Sequence, residues 1–64
     1  MCEADVYLMN KDGVEELLLE SVDRIVPSKD GIFLESIFSE QKTVKAVIKE
    51  MRLVSHKIVL EAVE

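Results

Sequence analysis

Two Asp-Gly dipeptides, in "NKDG" (residues 10–13) and "SKDG" (residues 28–31), constrain the fold of this chain more than any other feature. Glycine after aspartate accommodates the positive φ that tight hairpin turns demand. Each turn commits its flanking segments to lie side by side as antiparallel strands. Pro27, just before the second turn, is expected to help stop the strand that precedes it.

The segments between these turns have the lengths and composition of strands. "ADVYLM" alternates Ala4, Val6 and Leu8 against Asp5, Tyr7 and Met9, the two-residue period of a strand with two distinct faces. "DRIVP" and "GIFLESIF" flank the second turn and are rich in β-branched and aromatic residues. "MRLV" and "KIVLEA" are separated by Ser55 and His56, a spacing that suits a further hairpin. Ile32, Phe33 and Leu34 run apolar on both faces, as expected where a small curved sheet packs one side inside and the other against a partner. Two stretches fit either period. Residues 14–25 place apolar side chains at Val14, Leu17, Leu18, Val22 and Ile25, and residues 44–51 at Val44, Val47, Ile48 and Met51. Those spacings suit an amphipathic helix as well as a strand, and Glu, Leu and Lys favour helix. The pattern alone leaves both segments open.

Sixty-four residues make a single small domain, residues 1–64. A chain this short buries only about 60% of the surface its unfolded form exposes, so its own core leaves it marginal. One cysteine makes no intrachain disulfide, and no Cys/His cluster offers a structural zinc site. Oligomerisation is the remaining support, and a homodimer is its commonest form.

Composition narrows the function classes. Thirteen acidic residues against eight basic ones give a net charge of −5, a field that repels a phosphate backbone, and the basic residues are scattered rather than clustered. Nucleic acid is therefore disfavoured as a partner. No apolar run approaches the roughly 18 residues that span a membrane. Glu3 and Asp5 fall where a secretory leader would need a basic region and an apolar core, so the chain is expected to be cytoplasmic. A lone thiol stays reduced in that compartment.

That lone thiol, Cys2, is the residue on which function turns. Its plain reading is a small hydrophobe on the first strand or an idle exposed thiol. His56, the only histidine, is the second candidate ligand, and it reads as a solvated turn residue at the far end of the sequence from Cys2. Met1, Met9 and Met51 form no spaced thioether motif, and Met51 reads as core filler. Glu15, Glu16 and Glu20 in "EELLLE" form a solvated acidic face, because no histidine, phosphate loop or nucleophile elbow accompanies them. An enzyme is not expected.

The opening "MC", the alternating first strand, the two Asp-Gly turns, "GIFLESIFSEQ" and the late "RLVSHKIVL" together resemble the CooT-type nickel-binding proteins. These are small accessory proteins associated with maturation of carbon monoxide dehydrogenase. The resemblance runs over essentially the whole chain, and its most specific element is Cys2 directly after the initiator methionine. It implies an all-β fold, a small barrel-like sheet of short strands, a homodimer, and a Ni(II) site built from Met1 and Cys2 at the N-termini. It implies carbon monoxide dehydrogenase or its maturation machinery as the partner. It also tips both ambiguous segments towards strand, leaving room for a short helical turn within residues 39–44. Related chains have carried a general RNA-binding label, which fold alone does not establish.

The chemistry of Met1 and Cys2 suits that metal. The α-amine of Met1 and the backbone nitrogen of Cys2 close one five-membered chelate ring, and that nitrogen and the Cys2 thiolate close a second. Ni(II) takes square-planar nitrogen and sulfur donors readily. One chain supplies three donors of this set, so a two-fold axis near the N-termini is expected to bring two thiolates to one shared metal. Removal of Met1 by an aminopeptidase would leave a simpler chelate of amine and thiolate. Copper competes strongly at any such site by the Irving–Williams order. Two other classes stand beside the carrier: an interaction or RNA-binding small barrel with Cys2 incidental, and a redox thiol that joins two subunits through a disulfide.

Overall fold

The computed structural model describes residues 3–63. They form six strands, β1 (Ala4–Met9), β2 (Glu15–Ser28), β3 (Gly31–Ser36), β4 (Gln41–Val44), β5 (Ala46–Arg52) and β6 (Lys57–Ala62). All six belong to one sheet in the order β4-β3-β2-β1-β6-β5. Every neighbouring pair is antiparallel except β1 and β6, which run parallel. The all-β class is as expected, and both ambiguous segments are extended, residues 15–25 in β2 and residues 44–51 in β4 and β5. Pairing of β2 with β1 and β3, of β4 with β3 and of β5 with β6 settles what periodicity left open. The helical turn allowed for within residues 39–44 is instead strand β4, paired with β3 from Ile32↔Val44 to Glu35↔Gln41.

Both Asp-Gly turns lie where the sequence puts them. In the first, Asn10 Oδ1 accepts from the amides of Asp12 (2.9 Å) and Val14 (3.1 Å), and Gly13 takes a φ of 82°. In the second, Ser28 and Gly31 face each other across Lys29 and Asp30, and Ser28 Oγ donates to the Gly31 carbonyl at 3.1 Å. Pro27 does not stop β2, which continues to Ser28 with Pro27 opposite Ile32. The reason is a change of neighbours along β2. Its first half pairs with β1 up to Val22, and its second half pairs only with β3. Beyond Val22 one side of β2 has no ladder to complete, so the missing proline N–H costs nothing there.

β2 makes that change by bending. The registers shift between Ala4 and Val6 and between Val22 and Arg24, and Ser21 adopts a φ of 55°. Such irregularities increase local twist. The sheet consequently curls until β4 and β5, the outermost strands of the order, are separated by Lys45 alone. Val63 donates to the Lys45 carbonyl at 3.3 Å, extending the β5–β6 ladder to the edge of this seam. The sheet is not closed, so it is barrel-like only in part.

The concave side holds the core: Val6, Leu19, Val22, Ile32, Leu34, Ala46 and Leu60, with Leu8, Leu18, Ile25, Val44 and Ile58 packed against it. These come from all six strands. Phe33, on the other side of β3, is half-buried and covered by Arg24, whose guanidinium lies 5.7 Å from the ring centroid and pairs with Glu35 at 3.0 Å. Met9 is buried, whereas Met51 is exposed and is not the core filler expected of it. Met51 follows the register shift between Ile48 and Glu50 on the outermost strand, which has a neighbour on one side only. The β5–β6 hairpin exists, but its turn has four residues, 53–56, rather than two.

Candidate metal centre

The expected nickel donors, Met1 and Cys2, lie outside the described residues. What the structure describes is the end of the sheet to which they are attached. β1 is the central strand there, held by β2 on one side and β6 on the other. Its parallel register with β6 sets Asp5 beside Lys57. The Asp5 amide donates to the His56 carbonyl at 2.9 Å. Asp5 Oδ1 accepts from the Ser21 amide at 3.2 Å, and the Ser21 carbonyl accepts from the Ile37 amide at 2.9 Å. This relay ties the start of β1 to the β5–β6 turn, the β2 bend and the β3–β4 turn. Ser21 and His56 have positive φ, as does Ser39 in the β3–β4 turn.

Ser36 organises that last turn. It is buried, and its Oγ accepts from the amides of Phe38 and Glu40, each at 3.1 Å. The result presents Phe38 to solvent at 72% exposure, while the β5–β6 turn presents Leu53 at 77% and Val54 at 95%. Large apolar side chains this exposed, gathered by two turns at one end, mark an interaction surface. Between the turn and β1 lies a cleft of about 300 Å³ lined by Ala4, Arg52, Leu53, His56, Lys57 and Ile58. His56 is itself exposed, as a solvated turn residue should be. Glu3, one residue beyond Cys2, has a buried Oε1 with no hydrogen-bond partner among the described residues.

Elsewhere the chemistry is sparse. Among the described residues no three His, Cys, Asp or Glu side chains converge as a metal site. Glu15, Glu16 and Glu20 are exposed, as expected of a solvated face, and Glu15 pairs with Lys57 at 3.1 Å while that ammonium sits 4.7 Å from the Tyr7 ring centroid. A larger cleft of about 510 Å³ at the opposite end lies between the β2–β3 turn and the seam, with Lys29, Asp30 and Lys45 in its wall. No helix among the described residues is long and apolar enough to cross a membrane.

The family of CO dehydrogenase accessory protein CooT matches residues 1–61. The chain belongs to this family. A crystal structure assigned to CooT of Carboxydothermus hydrogenoformans is 46% identical, with a TM-score of 0.88, covering 98% of this chain and 100% of that one. No curated protein matches the chain. CooT is thus the family that the opening "MC", the turns and the closing strands pointed to, and its members are accessory proteins for CO dehydrogenase. In this CooT chain the turn that carries the one histidine lies beside the start of β1, a placement with no local signal in the sequence. His56 is 54 positions from Cys2, yet its turn is bonded to β1 three residues after Cys2. Hairpin signals reveal neighbours in sequence. The parallel pairing of first and last strands has no such local signal.

Proposed function

We propose that this chain is a nickel-binding accessory protein of the metallochaperone kind. It binds Ni(II) through Met1 and Cys2 at a homodimer interface and supports nickel insertion into carbon monoxide dehydrogenase. The observation that carries this reading is the family match, which spans residues 1–61 and so includes Cys2. The donor set fits a borderline divalent ion. The thiolate is a soft ligand, and amine and amide nitrogens complete a planar chelate. Glu3, adjacent in sequence, has a carboxylate oxygen with no hydrogen-bond partner among the described residues, and a carboxylate close by favours a cation.

The apolar residues at this end support the homodimer. Phe38, Leu53 and Val54 sit exposed on the two turns tied to the start of β1, where a second copy would cover them and bring two Cys2 thiolates together. Metal and dimer would then stabilise one another by mass action. That linkage suits a carrier, because a partner that disturbs the dimer also lowers its hold on the metal. No catalytic constellation is required, and the setting is a reducing cytoplasm in which Cys2 remains a thiol.

The test is a Ni(II) titration of untagged protein, reduced and anaerobic, followed by thiolate-to-metal absorption and native mass spectrometry. One nickel per dimer, absent in Cys2→Ser, is the expected result. Binding indifferent to Cys2 would overturn the reading and leave an interaction module that shares the fold.

A further inference from the structure

We infer that the cleft at the β4–β5 seam is a docking site for a short, extended, acidic segment of a partner protein. The inference does not depend on the nickel reading, because this cleft lies at the end of the molecule opposite the start of β1.

Charge carries the inference. The protein has a net charge of −5, yet residues 41–49 hold Lys42, Lys45 and Lys49 and no acid. Lys29, in the β2–β3 turn, lines the same cleft of about 510 Å³ as Lys45. All four lysines are exposed, and none makes an ion pair among the described residues. Asp30 is the carboxylate that the wall sets against those two ammoniums.

The shape fits an extended segment. Ala46, Val47 and Val63 give the cleft an apolar side, and Val47 and Val63 are half exposed, leaving a place for an apolar side chain. The side of β5 that faces away from β6 has no ladder partner among the described residues. Its backbone groups are open to an added strand. The opposite wall is already set. Ser28 Oγ donates to the Gly31 carbonyl at 3.1 Å and accepts from the Asp30 amide at 3.3 Å, and Gly31 leaves no room for a Cβ against the Val44 carbonyl.

Charge also chooses the occupant. A second copy laid edge to edge would set lysines against lysines, the device by which edge strands avoid their own kind. Single-stranded nucleic acid is held by aromatic stacking and arginine beside its phosphates, and the described wall has neither. The acidic remainder of the surface also repels a long polyanion. A short acidic segment stays within the local field of Lys29 and Lys45, since charges more than about 8 Å away are screened at physiological salt.

The experiment titrates the isotope-labelled, untagged full chain with three probes, followed by NMR. They are a short capped peptide alternating glutamate and valine, the same peptide with lysine for glutamate, and a single-stranded oligonucleotide. Saturable shifts at the amides of residues 29–31 and 45–47 are expected with the glutamate peptide and not with the lysine one. The double variant Lys29→Gln, Lys45→Gln, shown to be folded by circular dichroism and melting, should bind the glutamate peptide about threefold to tenfold more weakly. Cys2→Ser should bind it as wild type does, so a failure of the nickel reading leaves this inference standing. No shift at about 1 mM glutamate peptide, or equal binding by wild type and the double variant, would overturn the inference. Weakened binding in Cys2→Ser would move the peptide to the other end and overturn it as well. Tighter binding of the oligonucleotide than of the peptide would make the seam a nucleic-acid surface instead.

Discussion

The amide of Asp5 donates to the carbonyl of His56 at 2.9 Å, joining the third residue after the only cysteine to the turn that carries the only histidine. The same Asp5 uses its carboxylate on the amide of Ser21, where β2 bends with a φ of 55°. One residue thus aligns three segments at the end of the sheet where the metal is proposed to bind. Asp5→Ala removes the carboxylate bond but not the backbone one. The site is exposed, so the expected loss is modest, about 0.5–1.5 kcal/mol by urea unfolding. Asp5→Asn keeps an acceptor and should fall well below that. Equal losses for the two would show that the Ser21 contact is not what Asp5 contributes.

Nickel should bind more tightly as pH rises. The Cys2 thiol and the Met1 amine must both release protons, with reference values of about 8.5 and about 8. Below those values protons compete with the metal, so apparent affinity climbs from about pH 6 towards pH 9 and then levels off. Titrations at stepped pH in a non-coordinating buffer read this directly. A flat profile would mean that neither group is a ligand.

Metal should also stabilise the fold. With free nickel at about a hundred times its dissociation constant, linkage adds about 2.7 kcal/mol to unfolding. The melting temperature rises accordingly in wild type, and Cys2→Ser shows no rise. A thermal scan with and without nickel suffices, and equal rises in the two proteins would place the stabilising metal elsewhere.

Gly31→Ala should be among the most damaging single-methyl changes in the chain. Gly31 has a φ of 138°, and a Cβ there would run into the backbone carbonyl of Val44. Neither the backbone of β4 nor the seam behind it yields as a flexible side chain would. We expect a loss of about 2–4 kcal/mol, from strain and the clash together. Gly13→Ala meets open space and carries only the strain of its φ of 82°. Chemical denaturation of both variants checks the order, and a Gly13 variant as unstable as the Gly31 one would contradict it.

Ser36→Ala should loosen the β3–β4 turn. Its Oγ accepts from two amides, Phe38 and Glu40, in a residue that is only 3% exposed. Losing the acceptor leaves both donors to find water, a cost of about 1–3 kcal/mol. Faster hydrogen exchange at Phe38 and Glu40 than in wild type is the local signature. Unchanged protection at both would mean the turn is held by its backbone bonds.

Much of this molecule follows from short stretches of its sequence. The two Asp-Gly turns, the alternation of Ala4, Val6 and Leu8, and the β-branched residues around Gly31 determine two antiparallel hairpins, because turn geometry and two-residue periodicity act between near neighbours. The pairing "MC" and the family signature likewise needed no coordinates. What the tertiary structure alone decided is non-local. Residues 15–25 and 44–51 became strands because their ladders with neighbouring strands, on both sides of β2 and on one side of β4 and β5, outweigh the helical preference of Glu, Leu and Lys. Pro27 stayed inside β2 because β2 had already parted from β1, and Met51 was left exposed because β5 is outermost. The parallel pairing of β1 with β6 brought His56 to the N-terminal end. No periodicity encodes which distant strands meet, since that choice is made by curling an open sheet around one small core.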